Sequence, residues 1–288
     1  MAKKAEPSGK AYQPMNGENV KPVTIRRQSP WQIQCSVIFG VFNRELANRF
    51  GRFSLGYLWA PLEPLLYIAV LSAIRMQVAS GPIAGIDPVV FFASGVLPFI
   101  LFQIVQITSL SCVESNVGLF NYQRVKPADI FAARFLLEVL IVLTVALLLF
   151  PSLYLLGMEF ALNDFLYLLG VTVLFLMFVA GMGLICTVLG PFWNESKKIL
   201  PNVIRPFFFI SGIFFPLADI PPELRDKLTW NPLLHALELF RHAAFEGYQL
   251  SPEASLNFLF WSALISLTTG LVVYRLCRLK IVTSGTIK

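Results

Sequence analysis

The stretch that decides the fold is FLYLLGVTVLFLMFVAGMGLICTVL, residues 165–189, which contains no charged side chain. An α-helix needs about 20 predominantly apolar residues to cross the hydrocarbon core of a bilayer. This run is long enough, whereas a surface helix of a soluble protein would carry polar residues along one face. It therefore predicts a membrane-spanning helix, and similar runs on either side extend the prediction to most of the chain.

Five further apolar runs of comparable length predict that the chain crosses the membrane repeatedly. The six predicted spans are residues 55–74, 89–110, 130–149, 165–189, 199–217 and 256–276. The sequence thus predicts an all-α integral membrane protein with six transmembrane helices per chain, organised as one domain over residues 55–276.

Composition agrees with this class and excludes several others. Hydrophobic residues make up 56% of the 288 residues and charged residues 14%, well below the roughly 25% charge of soluble domains. The net charge is +6, but the basic residues flank apolar runs instead of forming one patch, which argues against a nucleic-acid partner. The four cysteines are far apart in sequence and predict free thiols: Cys35, Cys112, Cys186 and Cys277.

Polar and amphipathic segments surround the spans. Residues 1–29 are rich in Lys, Pro, Gly and Asn and lack the apolar core of a signal peptide, so they predict a disordered cytoplasmic tail. Residues 30–54 repeat apolar positions at helical spacing and predict an N-terminal amphipathic interface helix, a helix packed on a soluble partner being the alternative. Residues 219–255 predict short outer helices, re-entrant or interfacial, over 223–228 and 233–245. Residues 277–288 predict a cytoplasmic C-terminal tail.

The distribution of Lys and Arg predicts the orientation. Most of them lie before the first span, around the loops after the second and fourth spans, and at the C-terminus. The opposite loops contain only Arg225, Lys227 and Arg241. Because short cytoplasmic loops carry an excess of positive charge, both termini are expected in the cytoplasm.

Ionisable residues inside the spans are candidates for function. A charge at membrane depth is costly and normally faces a partner or a water-filled path. We expect Glu63 in the first span to pair with Arg49 or Arg52, the alternative being a cap on a helix broken by the neighbouring prolines. Arg205 in the fifth span can meet an anionic substrate or extend towards the inner interface.

Two helical spacings place polar side chains on one face. Arg134 and Glu138 lie four residues apart in the third span and predict a structural ion pair along the helix. His235, Glu238 and His242 have a spacing found in metal sites. We favour a hydrogen-bonded polar face with an ion pair to the neighbouring arginine, and predict no metal.

Motifs for catalysis or nucleotide binding are missing from the sequence. It contains no GxxxxGK[ST] phosphate-binding loop, no GxSxG and no HExxH. We therefore predict no catalytic residue, no ATP site and no cofactor in this chain. A transporter built from it takes energy from another subunit or from an ion gradient.

Four sequence blocks carry a resemblance to a known family. The first runs from Arg44-Glu45 to Glu63-Pro64, and the second is GLFNY at 118–122 with VKP at 125–127. The third is ISG at 210–212 with FPL at 215–217, and the fourth is WNPL at 230–233 followed by His235, Glu238 and Arg241. In this order and at these topological positions they resemble the capsular polysaccharide export inner-membrane permeases of the ABC-2 transporter family, of the KpsM type.

This resemblance, which covers residues 31–274, has clear implications for assembly. It implies a homodimeric permease of the bacterial inner membrane bound to two copies of an ABC ATPase subunit, where ATP and Mg bind. It implies export of a lipid-linked, acidic capsular polysaccharide. It also implies a periplasmic polysaccharide co-polymerase-type protein and an outer-membrane export protein as further partners.

Three groups of candidate site residues result. The loop 111–128 is similar to the coupling helix of the family, and its ATPase-coupling candidates are Glu114, Leu119, Phe120, Tyr122, Arg124 and Lys126. A lipid anchor that carries phosphate needs a basic entrance to the transport path, and sugars stack on aromatic rings. For the arginines, binding of bulk anionic lipid is an alternative role. The substrate and lipid-anchor candidates are Arg44, Arg49, Arg52, Glu63, Arg205 and Trp59. The outer gate candidates, within 219–255 and just before it, are Pro216, Trp230, Asn231, Pro232, Glu238 and Arg241.

Three other functions are alternatives for such a chain. An O-antigen or teichoic-acid permease would share fold, partners and energy source and differ in the polymer. A gradient-driven secondary transporter would carry several buried carboxylates and often an inverted repeat. Here Glu63 and Glu138 are the main acids inside the spans, and no repeat is visible. A membrane-embedded transferase would need a denser cluster of His, Asp or Glu.

Overall fold

The computed structural model describes residues 29–50, 56–79, 81–121, 125–158 and 160–286, without the side chains of 30, 50, 56–60, 121 and 282–286. In this part of the chain two short 3-10 helices, Glu114–Asn121 and Leu217–Asp219, lie between nine α-helices. The α-helices are α1 Pro30–Phe50, α2 Gly56–Val78, α3 Pro88–Leu110, α4 Pro127–Leu155, α5 Phe165–Phe192, α6 Ser196–Ile210, α7 Pro222–Leu228, α8 Pro232–Ala244 and α9 Leu256–Thr286. The all-helical class is confirmed.

Four of the described helices are long and apolar enough to cross a membrane. They are α3, α4, α5 and the segment Leu256–Ile281 of α9, and they match the second, third, fourth and sixth predicted spans. The first and fifth predicted spans correspond to α2 and α6, whose crossing of the membrane stays a prediction. Helix α9 continues to Thr286, through most of the segment predicted as a C-terminal tail.

Polar caps define where several helices begin. The carboxylate of Asp87 accepts a hydrogen bond from the backbone N–H of Val89 (2.8 Å) at the start of α3. At the start of α5, the carboxylate of Asp164 accepts a hydrogen bond from the backbone N–H of Tyr167 (3.0 Å). At the start of α8, the amide oxygen of Asn231 accepts one from the backbone N–H of Leu233 (3.0 Å). Because the first backbone N–H groups of a helix have no partner within the helix, such caps mark helix starts in the sequence.

Helix α3 is the central element of the bundle. It packs against α2, α4, α5, α6 and α8, and 78% of its most apolar window is buried. Helix α1 lies mainly against α4. The side chains of α3 therefore meet those of most other helices, including α8.

Small residues bring α5 and α9 into close contact. A Cβ atom added to Gly181 of α5 would lie 2.3 Å from the carbonyl carbon of Ser266 in α9. One added to Gly270 would lie 2.5 Å from the carbonyl oxygen of Gly181. The hydroxyl of Ser266 also donates to the carbonyl of Phe178 (2.9 Å). Close backbone approach of this kind is typical of helix pairs in membranes, where van der Waals packing drives association.

The fifth predicted span is partly wrong. The prediction placed one helix over 199–217, but α6 ends at Ile210. Its fifteen residues extend about 22 Å, less than the roughly 30 Å of the hydrocarbon core. The chain turns at Gly212, whose φ of +74° is incompatible with a continuing helix and favours glycine.

Candidate functional site

The predicted coupling loop follows directly on α3. Within it, Glu114–Asn121 form 3-10 helix with a kink at Asn116. The amide of Asn116 donates to the carbonyl of Cys112 (3.0 Å), one turn earlier. Burial raises the pKa of Cys112 to about 12, so its thiol stays protonated at neutral pH.

The predicted anchors of this loop contact their own chain. Leu119 and Phe120 are half-buried, and Phe120 packs against a small cluster formed by Val113, Val188 and Ile281. A contact of Phe120 with an ATPase would use the part of the ring that this cluster leaves exposed.

The other coupling candidates differ in how far the structure describes them. Glu114 forms an ion pair with Lys197, just inside α6. Lys126 is exposed and precedes α4, where its backbone N–H donates to Asp129 (3.0 Å). Tyr122 and Arg124 lie outside the described residues.

The prediction of an ion pair between Arg134 and Glu138 along α4 is wrong. Arg134 pairs with Glu45 of α1, with 3.2 Å between Nε and Oε2, and Glu138 pairs with Arg49 of α1. Helices α1 and α4 lie side by side, so Arg134 and Glu138 each meet an opposite charge on α1. The spacing within α4 identified the right residues but the wrong partners.

Glu63 does not pair with Arg49, because Arg49 reaches Glu138 instead. Arg52, the other expected partner, lies outside the described residues. The Glu63 side chain is exposed on α2 and lines a surface groove of about 300 Å³. The other residues of this groove are Leu62, Leu66, Tyr67 and Val70.

The remaining substrate candidates are spread over different helices. Arg205 is exposed on α6 and donates to the side-chain oxygen of Asn202 in the same helix (3.1 Å). Arg44 on α1 donates to the side-chain oxygen of Asn116 (3.0 Å). The side chain of Trp59 lies outside the described residues. The described contacts therefore do not bring these candidates into one cluster.

The segment predicted as the outer gate contains two helices, and α8 lies deep in the protein. Ten of its thirteen residues are buried, and it packs against α3, α5 and α9. The polar face expected on α8 is directed into the protein, because both Glu238 and Arg241 are fully buried.

The start of α8 is held to the end of α6. The amide of Asn231 donates to the hydroxyl of Ser211 (3.0 Å) and to the carbonyl of Ile210 (3.3 Å). Pro232 is the first residue of α8, where its missing N–H costs nothing. Trp230 is 55% exposed and contacts Phe207 edge-on, with 5.7 Å between ring centroids.

Glu238 is satisfied by neutral donors. The backbone N–H of Leu217 donates to Oε1 (2.9 Å), and the hydroxyl of Tyr248 donates to both carboxylate oxygens (3.0 Å each). Burial raises the pKa of Glu238 and also that of Tyr248. Pro216, which precedes Leu217, is buried beside this group.

Arg241 joins α8 to α3 and to the turn after α6. Its guanidinium donates from Nη1 to the carbonyl of Gly212 (2.7 Å) and from Nε to the hydroxyl of Ser94 (3.1 Å). It also lies 3.7 Å from the ring centroid of Phe91, a cation–π contact. The ion pair expected between Arg241 and Glu238 does not form within the described contacts, because each group has other partners.

The two histidines have separate structural contacts. The backbone N–H of Ser255 donates to Nδ1 of His235 (3.0 Å), so Nε2 carries the proton that it donates to the carbonyl of Thr229 (2.6 Å). This arrangement needs a neutral ring, and burial lowers the pKa of His235 accordingly. His242 bonds instead through Nδ1 to the carbonyl of Tyr248 (3.0 Å).

Sequence reasoning missed several partners of the α8 site. Ser94, Gly95 and Phe91 lie in an ordinary apolar span, and Gly212 was only part of a matched block. Gly95 is the most informative, because an added Cβ would lie 2.7 Å from Nη2 of Arg241. The usable signal was the conjunction of an arginine in a short apolar helix with small residues in a neighbouring span.

Comparison with known proteins identifies the family. Residues 36–245 match the family described as ABC-2 type transporter. The chain is 40% identical to the polysialic acid transport protein KpsM of Escherichia coli over 248 residues, which cover 86% of this chain and 96% of that protein. It is 28% identical to the capsule polysaccharide export inner-membrane protein BexB of Haemophilus influenzae, over 84% of this chain and 91% of BexB. It is 24% identical to the capsule polysaccharide export inner-membrane protein CtrC of Neisseria meningitidis, over 84% of this chain and 91% of CtrC.

The chain matches this family over most of its length. Within the matched and flanking residues lie the four long apolar helices, the buried α8 and the α3–α4 loop. The chain belongs to the ABC-2 type transporter family and is a multi-pass membrane protein.

Proposed function

We propose that this chain is the permease subunit of an ATP-driven exporter that moves a lipid-linked capsular polysaccharide across the bacterial inner membrane. The observation that carries the proposal is 40% identity, over nearly the whole of both chains, to a protein that transports polysialic acid. Two further relatives are named for capsule polysaccharide export. These names favour a capsule over an O-antigen or teichoic acid as the polymer.

The proposed topology has six spans and cytoplasmic termini. Helix α2 and the segment 196–217, which is α6 with the turn that follows it, join α3, α4, α5 and α9 as spans, and α1 lies in the inner interface. Helices α7 and α8 form the outer gate segment, with α8 re-entrant. In this topology the basic residues around α1 and the α3–α4 loop lie on the cytoplasmic side, as the positive-inside rule requires.

The proposed assembly is a homodimer with two ATPase subunits. ATP and Mg bind the ATPase, and this chain has no ATP site of its own, in line with the missing phosphate-binding loop. The α3–α4 loop docks on the ATPase through Leu119, Phe120 and the neighbouring charged residues. A periplasmic co-polymerase-type protein and an outer-membrane export protein continue the path to the cell surface.

The proposed substrate path begins at a basic inner mouth. Arg44, Arg49 and Arg52 attract the phosphate of the lipid anchor, and the exposed Glu63 groove on α2 and Arg205 on α6 lie further along the path. Trp59 offers a ring for sugar stacking. The support is electrostatic, since an anionic polymer is drawn to a basic, low-dielectric mouth.

The central test is recovery of the intact complex. The tagged protein is extracted from its native membrane in mild detergent, and the co-purifying proteins and glycolipids are identified by mass spectrometry. An ABC ATPase together with a glycolipid bearing acidic sugars is the expected result. A protein recovered without any ATPase, under conditions that preserve other ABC complexes, would contradict the proposal and favour a gradient-driven transporter.

Replacing Arg49 tests its role in the path. Arg49→Ala is expected to abolish export at unchanged membrane level, measured with a capsule-specific antibody at the cell surface. Because Arg49 also pairs with Glu138, the matched variant is Arg49→Ala/Glu138→Gln, which removes the unpaired carboxylate. Failure of the second substitution to restore export supports substrate binding, whereas restoration assigns Arg49 to the α1–α4 contact alone. Lys198→Ala, at an exposed position, is the control with normal export.

A further inference from the structure

Three consecutive residues of the α3–α4 loop each bond a cationic side chain from a different helix. We call residues 114–116 the loop triplet. Asn116 accepts a hydrogen bond from Nη1 of Arg44 in α1 (3.0 Å). The hydroxyl of Ser115 accepts one from Nη2 of Arg134 in α4 (2.8 Å). Neighbouring loop positions are therefore held from two sides.

The first residue of the loop triplet is held from a third side. Glu114 forms an ion pair with Lys197, at the start of α6, and both side chains are about three-quarters buried. Lys197 also donates to the side-chain oxygen of Asn194 (3.2 Å), which lies just before α6. Helices α1, α4 and α6 thus meet at three adjacent residues.

Arg134 is the most highly connected of the three cations. Besides Ser115 it bonds both carboxylate oxygens of Glu45 in α1, at 3.2 and 3.3 Å, and the carbonyl of Thr108 in the last turn of α3 (3.2 Å). A cation at that place satisfies a carbonyl near the helix C-terminus and interacts favourably with the helix dipole. Only a planar guanidinium has enough donors for all these contacts.

The loop triplet is also tied to the segment that precedes it. The hydroxyl of Ser115 donates to the carbonyl of Ser111 (2.6 Å), and the amide of Asn116 to that of Cys112 (3.0 Å). The loop cannot move by itself without breaking charge-assisted bonds to three helices, and such bonds are the stronger class of hydrogen bonds. Movement that keeps these bonds must carry the adjoining helix ends along.

We propose that the loop triplet and the adjoining ends of α1, α4 and α6 move as one body when a bound ATPase displaces the loop, with Arg134 as the positioning residue that holds this body together. The inference rests on the proposed function and specifies how one loop reaches several helices. It passes the displacement to α6, whose other end bonds Asn231 at the start of α8. The loop and the outer segment are therefore connected through one helix.

The first test bridges two parts that the proposal keeps together. Glu114→Cys/Lys197→Cys is made in a chain whose native cysteines are replaced by alanine, and the complex with its ATPase is reconstituted in vesicles with the co-purified glycolipid. A short, flexible, reducible bis-thiol reagent joins the two positions, and a monofunctional analogue is the control. Export and ATP hydrolysis that persist after bridging support the proposal. Loss of export upon bridging, with recovery after reduction, would overturn it.

The second test measures how tightly export follows ATP hydrolysis. Glu114→Lys and Lys197→Glu are each expected to lower the polymer exported per ATP at least about fivefold, and the double variant to restore it. Arg134→Lys, which keeps the charge but loses the fork of donors, is expected to lower the ratio as well. Recovery of the ATPase with each variant controls for folding and docking.

The outcomes separate this inference from the proposed function. If all single variants export at the wild-type rate and with the wild-type amount of polymer per ATP, the one-body inference is overturned while the proposed exporter function stands. Absence of ATP-dependent export by the unmodified complex would overturn the proposed function, and the inference with it.

Discussion

At the scale of single residues, the most unusual feature is the arginine inside α8. Arg241 is fully buried, and its guanidinium bonds Ser94 and Gly212 above the ring of Phe91. A buried charge is tolerated only where hydrogen bonds replace its lost hydration. The neighbouring Gly95 leaves the space that the guanidinium occupies.

Removing this side chain is expected to be costly. Arg241→Ala leaves the carbonyl of Gly212 and the hydroxyl of Ser94 without their donor and opens a cavity, so the free energy of unfolding should fall by about 3 kcal/mol. Thermal unfolding of the detergent-solubilised protein measures the loss. Lys227→Ala, at an exposed position of α7, is the control and should change it by less than about 0.5 kcal/mol. Equal melting temperatures for the two variants would contradict the structural role.

His235 makes stability depend on pH in a defined direction. Because burial lowers the pKa of His235 from 6.5, the unfolded chain binds a proton in a range where the folded protein does not. The stability contributed by His235 is complete above pH 6.5 and declines as the pH falls through that value. Glu238, whose pKa is raised, has the opposite effect: its contribution to stability increases as the pH falls.

A comparison of variants isolates the histidine. Melting temperatures of the wild type and of His235→Gln are measured between about pH 7.5 and pH 5.5. The wild type should lose more stability on acidification than the variant, since glutamine does not titrate. Parallel curves would show that His235 takes no part in the pH dependence.

At the scale of elements, the tightest contact is between α5 and α9. It depends on residues with little or no side chain at the crossing, namely Gly181, Gly270 and Ser266. Lipid tails are as apolar as leucine side chains, so close packing is what holds two membrane helices together. Small residues are therefore needed where the backbones approach.

Adding one methyl group at this crossing should separate the helices. In Gly181→Ala the new Cβ lies 2.3 Å from the backbone of Ser266, so α9 must shift, and stability should fall by about 3 kcal/mol. Gly170→Ala in the same helix is the matched control, because nothing lies within 4 Å of its Cβ and alanine favours the helix. The measurement is thermal unfolding in detergent. Similar melting temperatures for the two variants would refute the close contact.

At the scale of the whole molecule, the exposed surface is strongly apolar. Leu140, Leu143 and Leu147 of α4 are 49%, 50% and 64% exposed, and α9 carries similar side chains. Soluble monomers rarely expose contiguous apolar patches of this kind. Lipid, or another subunit, is the environment that such a surface fits.

The proposed topology is tested by labelling single cysteines. In a cysteine-free chain, Lys227→Cys should react with a membrane-impermeant maleimide added outside spheroplasts. Lys198→Cys should react only after permeabilisation, because the loop after α5 is expected in the cytoplasm. Labelling of both positions from the same side would exclude an odd number of crossings between them and contradict the six-span topology.

The sequence by itself determined the class of the protein and most helix positions. Apolar run length, caps such as Asp87 and Asn231, and turn-forming glycines are local signals, because helical hydrogen bonds and bilayer thickness act on neighbouring residues. The blocks from Arg44 to Arg241 were also enough to indicate the family. The misplaced end of α6 shows the limit of such signals, since the prediction continued past Gly212.

Only the tertiary structure decided which charges meet. Sequence spacing favoured Arg134 with Glu138, but the partners are Glu45 and Arg49, each 89 residues from its partner along the chain. The depth of α8 was equally hidden, because its polar residues are compatible with a surface helix until α3 and α5 cover them. Ion pairs and burial depend on which helices become neighbours, and that is settled by the packing of the whole bundle rather than by any local run of sequence.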